Sequence, residues 1–202
     1  MTYTRDIGRV CVYCASSDGT APDYLQAAHR LGDILAENSI TLVYGGGACG
    51  CMGQLAEGAL ARCGNVVGVL PRFMRELEWG HDRLTEMHIV EDMRERKHRM
   101  LTGADAAIAL PGGCGTLEEL LEAITLKRLG IFLNPIVLVN TRGYFDPLVE
   151  QMQRAVGERF MNPRHGRGQM WEVVEGPEQV LPAIRTAPPW PADARAFAAV
   201  KT

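Results

Sequence analysis

Short, nearly all-apolar runs alternate along this chain with longer stretches in which apolar residues recur every three or four positions. The runs over 10–15, 40–44, 66–70, 106–110 and 135–140 predict strands, and shorter runs over 87–90 and 171–174 predict two more. Between them, 22–37, 52–63, 91–103, 116–129, 144–159 and 177–185 read as helices. The first carries Leu25, Ala28, Leu31, Ile34 and Leu35 at helical spacing. Such alternation, with fully apolar strands, predicts an α/β fold: a mostly parallel central sheet with helices on both faces. Ligands of open sheets sit beyond the carboxyl ends of strands, near the point where strand order reverses. Glycines collect at two such ends. Gly45, Gly46, Gly47, Gly50 and Gly53 follow one strand, and Gly112, Gly113 and Gly115 follow another.

Composition narrows the picture. A chain of 202 residues fits one domain, placed at 1–186, followed by a Pro-rich tail over 187–202. The net charge of −3 gives no general basic surface, so neither nucleic acid nor an anionic membrane is expected as a partner. The N-terminus lacks the apolar core of a signal peptide, and no apolar run reaches the roughly 20 residues of a membrane span. Cysteines stand at 11, 14, 49, 51, 63 and 114. Cys11 and Cys14 lie three apart on a strand, so they face opposite ways and cannot share an ion. The cysteines therefore read as reduced packing residues of a cytoplasmic protein, and no metal site is expected. The 22 glycines exceed the usual share of about 7%.

Three clusters could carry chemistry. In Pro111-Gly112-Gly113-Cys114-Gly115-Thr116-Leu117-Glu118-Glu119 a strand ends, a glycine turn follows and a helix opens. That places free backbone N–H groups and a positive helix end around one point, an anion site suited to phosphate. Thr116 can add a hydroxyl, although Thr116 and Glu119 also fit a plain capping box. Gly45-x-Gly47-x-x-Gly50 matches a dinucleotide fingerprint. No acidic residue stands at the end of the next strand, but Arg72 there could meet a 2′-phosphate. In the charged run 91–100, Met93, Met100 and Leu101 define an apolar stripe. Arg96 and Lys97 share that stripe, so both should face protein and need an anionic partner, either carboxylate or phosphate.

These residues resemble the LOG (Lonely Guy) family of phosphoribohydrolases. The resemblance rests on the glycine loop through Glu119 paired with Arg96-Lys97 on a Met-containing helix. It extends to Ser16-Ser17, Tyr44-Gly45-Gly46-Gly47, Gly50, Met52-Gly53 and Gly143-Tyr144-Phe145, over about residues 9–180. It implies a Rossmann-like three-layer sandwich and a homodimer. It also implies hydrolysis of the N-glycosidic bond of a purine nucleoside 5′-monophosphate, plain AMP or an N6-prenylated cytokinin precursor, with no cofactor. Carried over by position, Arg96 and Glu119 match the catalytic pair. Ser16, Gly45, Gly46, Glu78, Lys97, Gly112, Gly113, Gly115, Thr116 and Thr125 match substrate-contacting positions. The chain departs from the family at Ala15, Ala48-Cys49 and Leu126-Lys127-Arg128. A lysine decarboxylase label, common in this family, finds no pyridoxal-binding lysine context here.

The expected chemistry follows. Glu119 would stabilise positive charge on the ribose and take a proton from water, with Arg96 keeping it ionised. The glycine loop, Thr116 and Lys97 would hold the 5′-phosphate. Two readings on the same fold compete: a nucleotide binder without catalysis, and an NADP-dependent enzyme.

Overall fold

The computed structural model describes residues 5–77, 79–161, 164–165, 168–191 and 194. Its strands are β1 (Arg9–Tyr13), β2 (Thr41–Tyr44), β3 (Val66–Pro71), β4 (Glu86–Val90), β5 (Ala106–Ala109), β6 (Ile136–Val139), β7 (Arg164–His165), β8 (Gly168–Gln169) and β9 (Glu172–Val174). Seven of them form one sheet in the order β4-β3-β2-β1-β5-β6-β9, and every pairing in it is parallel. The remaining two make a small antiparallel ribbon. The helices are α1 (Pro22–Glu37), α2 (Gly50–Ala61), α3 (Arg72–Glu76), α4 (Met93–Leu101), α5 (Cys114–Arg128), α6 (Asp146–Gly157) and α7 (Val180–Thr186).

The strands are apolar on both faces because both faces are covered. Val10, Val12 and Cys14 pack with Leu31 of α1, Leu55 of α2 and Ile184 of α7. Cys11 and Tyr13 pack on the other side with Met100 of α4, Leu120 of α5 and Met152 of α6. The three-layer α/β architecture expected from the pattern is present. Strand order reverses between β1 and β5, so the loops after these two strands diverge and open a crevice.

Local boundaries differ where turn chemistry outweighs periodicity. Helix α5 opens at Cys114 rather than 116, with Gly113 as its N-cap and no side-chain cap. Thr116 is therefore inside the first turn, and the capping-box reading fails. A 3-10 turn over Thr141–Gly143 delays α6 to Asp146, where a proline fits the first turn. Helix α4 starts late because Asp92 caps it, accepting from the Arg94 and Glu95 amides at 2.8 and 2.9 Å. The five-residue α3 has no counterpart in the sequence reading.

Cys11, Cys14 and Cys51 are buried packing residues, whereas Cys49, Cys63 and Cys114 are exposed, so the packing reading holds for three of the six. The tail is not peripheral where it is described. Trp190 is buried against α5 and donates its indole N–H to the Lys127 carbonyl at 2.8 Å. Among the described residues no helix is long and apolar enough to cross a membrane.

Candidate functional site

The crevice at the reversal point holds a cavity of about 530 Å³. Two loops, the start of α5 and helix α4 build most of it. Ala15, Ser16 and Ser17 come from the loop after β1, Gly45, Gly47, Ala48 and Cys49 from the loop after β2, and Gly113, Gly115, Thr116 and Glu119 from the start of α5. Helix α4 contributes Met93 and Arg96. Met52, Leu70, Met74 and Trp79 complete an apolar wall.

Arg96 and Glu119 form a buried ion pair, each about one-twentieth exposed. Arg96 Nη1 donates to Glu119 Oε1 at 2.7 Å. Its Nε donates to the Val69 carbonyl at 3.1 Å and its Nη2 to the Gly45 carbonyl at 3.3 Å. Two of the five guanidinium N–H groups remain for a ligand. Gly45 is required here, because a Cβ at that position would sit 2.0 Å from Arg96 Nη2. Burial pushes the Glu119 carboxyl above its ordinary value, against the opposing pull of Arg96. Arg96 thus limits the rise without cancelling it, which amends the expectation of a carboxylate simply held ionised. Glu119 Oε2 has no hydrogen-bond partner among the described residues.

The two glycine loops are not equivalent. The N-terminus of α2 is already occupied: the Gly50 amide donates to Asp18 Oδ1 at 2.7 Å and the Met52 amide to the Ala15 carbonyl at 3.0 Å. The N-terminus of α5 carries no side-chain cap. Its first-turn amides lie close to Arg96 and Thr116, an arrangement that could receive an anion.

Of the residues singled out in the sequence, Ser16, Gly45, Arg96, Gly113, Gly115, Thr116 and Glu119 line this one cavity. Gly46 and Gly112 sit in its loops. Gly46, in the left-handed region at φ +78°, accepts from the His81 amide at 2.9 Å. Lys97 and Thr125 are not brought to the cavity. Lys97 Nζ reaches Glu122 at 2.9 Å and also pairs with Glu118. Burial lowers the Lys97 ammonium, but these two carboxylates outweigh it and leave the group above its ordinary value. Thr125 lies on the outer face of α5 with Cys114, Leu117 and Leu121. Glu78 lies outside the described residues. Arg72, offered for a 2′-phosphate, is exposed and pairs with Glu91 at 2.7 Å.

The resemblance singled out Glu78, but sequence reasoning did not show that the residues after it, Trp79, Gly80 and His81, close the loop after β2. The Ala48 amide donates to the Trp79 carbonyl at 3.2 Å, and Gly47 bridges to Gly80. His81 is buried, with Nε2 3.1 Å from Glu57 Oε1. Beyond Glu78, the sequence offered there only a tryptophan beside glycine and histidine, too general to read.

Fold and cavity together define an α/β protein with a buried arginine–carboxylate pair beside an uncapped helix N-terminus. Comparisons with known proteins place the chain in a family. A family model described as "possible lysine decarboxylase" matches residues 52–184. The cytokinin riboside 5′-monophosphate phosphoribohydrolase LOG7 of Arabidopsis thaliana is 45% identical over 155 residues, 77% of this chain and 71% of that protein. The probable cytokinin riboside 5′-monophosphate phosphoribohydrolase LOGL1 of Oryza sativa subsp. japonica is 44% identical over 154 residues, 76% of this chain and 69% of that protein. The molybdenum cofactor binding protein of Rippkaea orientalis shares the fold, with a TM-score of 0.66 at 22% identity over 90% of this chain and 97% of that one. The chain belongs to the LOG family.

Proposed function

We propose that this protein hydrolyses the N-glycosidic bond of adenine-type nucleoside 5′-monophosphates, giving free base and ribose 5-phosphate. The observation that carries this reading is the buried Arg96–Glu119 pair beside the uncapped N-terminus of α5. Relatives in the family are named phosphoribohydrolases of cytokinin riboside 5′-monophosphates, which supports cytokinin activation as the role.

The phosphate sits on the amides of the α5 first turn, with the Thr116 hydroxyl and the spare N–H groups of Arg96 beside it. This fixes the ribose next to Glu119. Cleavage of the C1′–N bond builds positive charge on the ribose, which the Glu119 carboxylate stabilises. The C1′–N bond breaks, the oxygen of water bonds to C1′, and one water proton passes to Glu119; the departing base takes up a proton from solvent, to which Glu119 later returns its own. Oε1 is held by Arg96, leaving Oε2 for this exchange. Binding energy from the phosphate is spent on positioning, so nucleosides without it should react poorly. Met52, Leu70, Met74, Trp79 and Met93 give the cavity an apolar wall that suits an N6-prenyl group as well as plain adenine.

A domain over 1–186 acts as part of a homodimer in this reading. Leu121, 42% exposed, stands with Leu117 and Cys114 on the outer face of α5, where a second copy would cover them. The free cysteines support a reducing, cytoplasmic setting. A dinucleotide on the loop after β2 is disfavoured by the Asp18 carboxylate already at that helix end. Lysine decarboxylation would need a lysine at the cavity, and none lines it among the described residues.

The test is to incubate the pure protein with AMP, isopentenyladenosine monophosphate and adenosine, and to separate released base by chromatography. Release from either monophosphate and little from adenosine is expected. Intact nucleotide after long incubation would make the protein a binder. Equal turnover of adenosine and AMP would remove the phosphate anchor.

A further inference from the structure

The Tyr144 hydroxyl donates to the Gly112 carbonyl at 2.7 Å. Gly112 opens the loop that leads into α5, and Gly113 is the N-cap of that helix and lines the cavity. The peptide between them joins two glycines, so no side chain restrains its rotation. A trans peptide points its C=O and its N–H in opposite directions, and the described residues contain no cis bond. Holding the Gly112 carbonyl on one side therefore aims the Gly113 N–H to the other. That N–H has no hydrogen-bond partner among the described residues. Were the peptide to turn over, the Gly112 carbonyl would replace the N–H and repel an anion.

The phenol is itself placed with care. Its ring makes edge contacts with Tyr24 and Phe145, at centroid distances of 5.7 and 5.2 Å. Asn140 accepts from the Phe145 amide at 2.7 Å and donates to Asp146 Oδ1 at 2.7 Å. The chain turns there through Gly143 at φ +69°. A second restraint acts from the helix side: a Cβ on Gly112 would fall 2.1 Å from Thr116 Oγ1, so this peptide packs directly on the first turn.

We propose that Tyr144 is a positioning residue, whose hydroxyl holds the peptide between Gly112 and Gly113 with its N–H turned toward the 5′-phosphate of the substrate. The inference rests on the phosphate seat of the proposed function. Tyr144→Phe keeps the ring and its edge contacts and removes only the hydroxyl. Binding of ribose 5-phosphate and of adenosine is measured by calorimetry for both proteins, with AMP kinetics and a thermal melt alongside. Loss of one hydrogen bond to a charged group corresponds to about ten- to a hundredfold in affinity. The variant should lose that much for ribose 5-phosphate and in KM for AMP, with adenosine binding and the melt unchanged. Wild-type affinity for ribose 5-phosphate in the variant would overturn the proposal, as would equal weakening of both ligands or a lowered melt with unchanged phosphate affinity. Failure of the wild-type protein itself to bind ribose 5-phosphate would instead remove the phosphate seat on which it rests.

Discussion

Replacing Glu119 by glutamine is the most direct probe of the buried pair, because it removes one charge and almost no volume. Two consequences are expected, and they separate. The first concerns stability. Arg96 would be left as a buried cation among the Val69 and Gly45 carbonyls, with a neutral amide in place of its carboxylate. Removing one partner of a buried ion pair costs about 3–5 kcal/mol. Glutamine keeps an oxygen that can accept from Nη1, and the raised Glu119 carboxyl means that the fold favours a neutral side chain there, so this cost should be largely offset. For a domain of this size the melting temperature should stay within about 4 °C of wild type. The second concerns rate. Loss of a positioned general base costs about 10²–10⁴ in turnover. The assay is base release from AMP at a temperature where a melt shows the variant still folded. A melt close to that of wild type with turnover within a factor of about ten of wild type would refute the role of Glu119 as base. The pH profile gives a second reading of the same group. Burial raises its folded-state value above the ordinary carboxylate value of 4.5. A base works only when deprotonated, so the acid limb of the rate should rise through a pKa above 4.5. A limb at or below that value would contradict the burial argument.

Two further outcomes are expected elsewhere. Lys127 is buried beside the Trp190 ring, and burial, with Arg5 adding to it against Glu172, lowers its ammonium from 10.5 to about 7. The unfolded chain then binds more protons than the folded one between these values, so the melting temperature should rise as pH increases from about 7 toward 10.5. Lys127→Met should flatten that rise and stabilise the protein at neutral pH; an unchanged slope would show that Lys127 is not its source. Leu121→Glu places a charge on the outer face of α5 and should shift the protein from dimer to monomer in light scattering, whereas an unaltered dimer would put the interface elsewhere.

Much of the fold was legible because parallel strands covered on both faces read as continuous apolar runs. The loop after β5 was legible for the same local reason: strand, glycine turn and helix start lie within a dozen residues. The pairing of the cations was not. Arg96 and Lys97 are neighbours on α4, and neighbours on a helix point about 100° apart, so they cannot share one anion. Arg96 meets Glu119, while Lys97 meets Glu118 and Glu122. The choice among three carboxylates on α5 depends on how the two helices cross the sheet, which no local pattern records. Thr116 looked like a cap because it precedes a glutamate at the right spacing. The structure instead runs Cys114 and Gly115 into the first turn and turns Glu119 inward to Arg96. Part of the glycine excess has nothing to do with ligands. A Cβ on Gly32 would meet the Leu55 carbonyl at 2.2 Å and one on Gly58 the His29 carbonyl at 2.1 Å, so these two glycines let α1 and α2 touch. Tyr144 and Asp18 act from loops distant in sequence: the resemblance included Gly143-Tyr144-Phe145 without a role for the tyrosine, and Asp18 belonged to no motif.

Asp18 also gives the cavity a polarity. Two helix N-termini face one crevice, and each would attract an anion on its own. The carboxylate at α2 is a built-in competitor that leaves a single address for an incoming dianion, at α5. In the proposed function a nucleotide then enters in one sense, phosphate toward α5 and base toward the methionines. A chain without that aspartate would present two open helix ends to the same ligand, the arrangement suited to a diphosphate. In the proposed function, this one aspartate is what suits the crevice to mononucleotides.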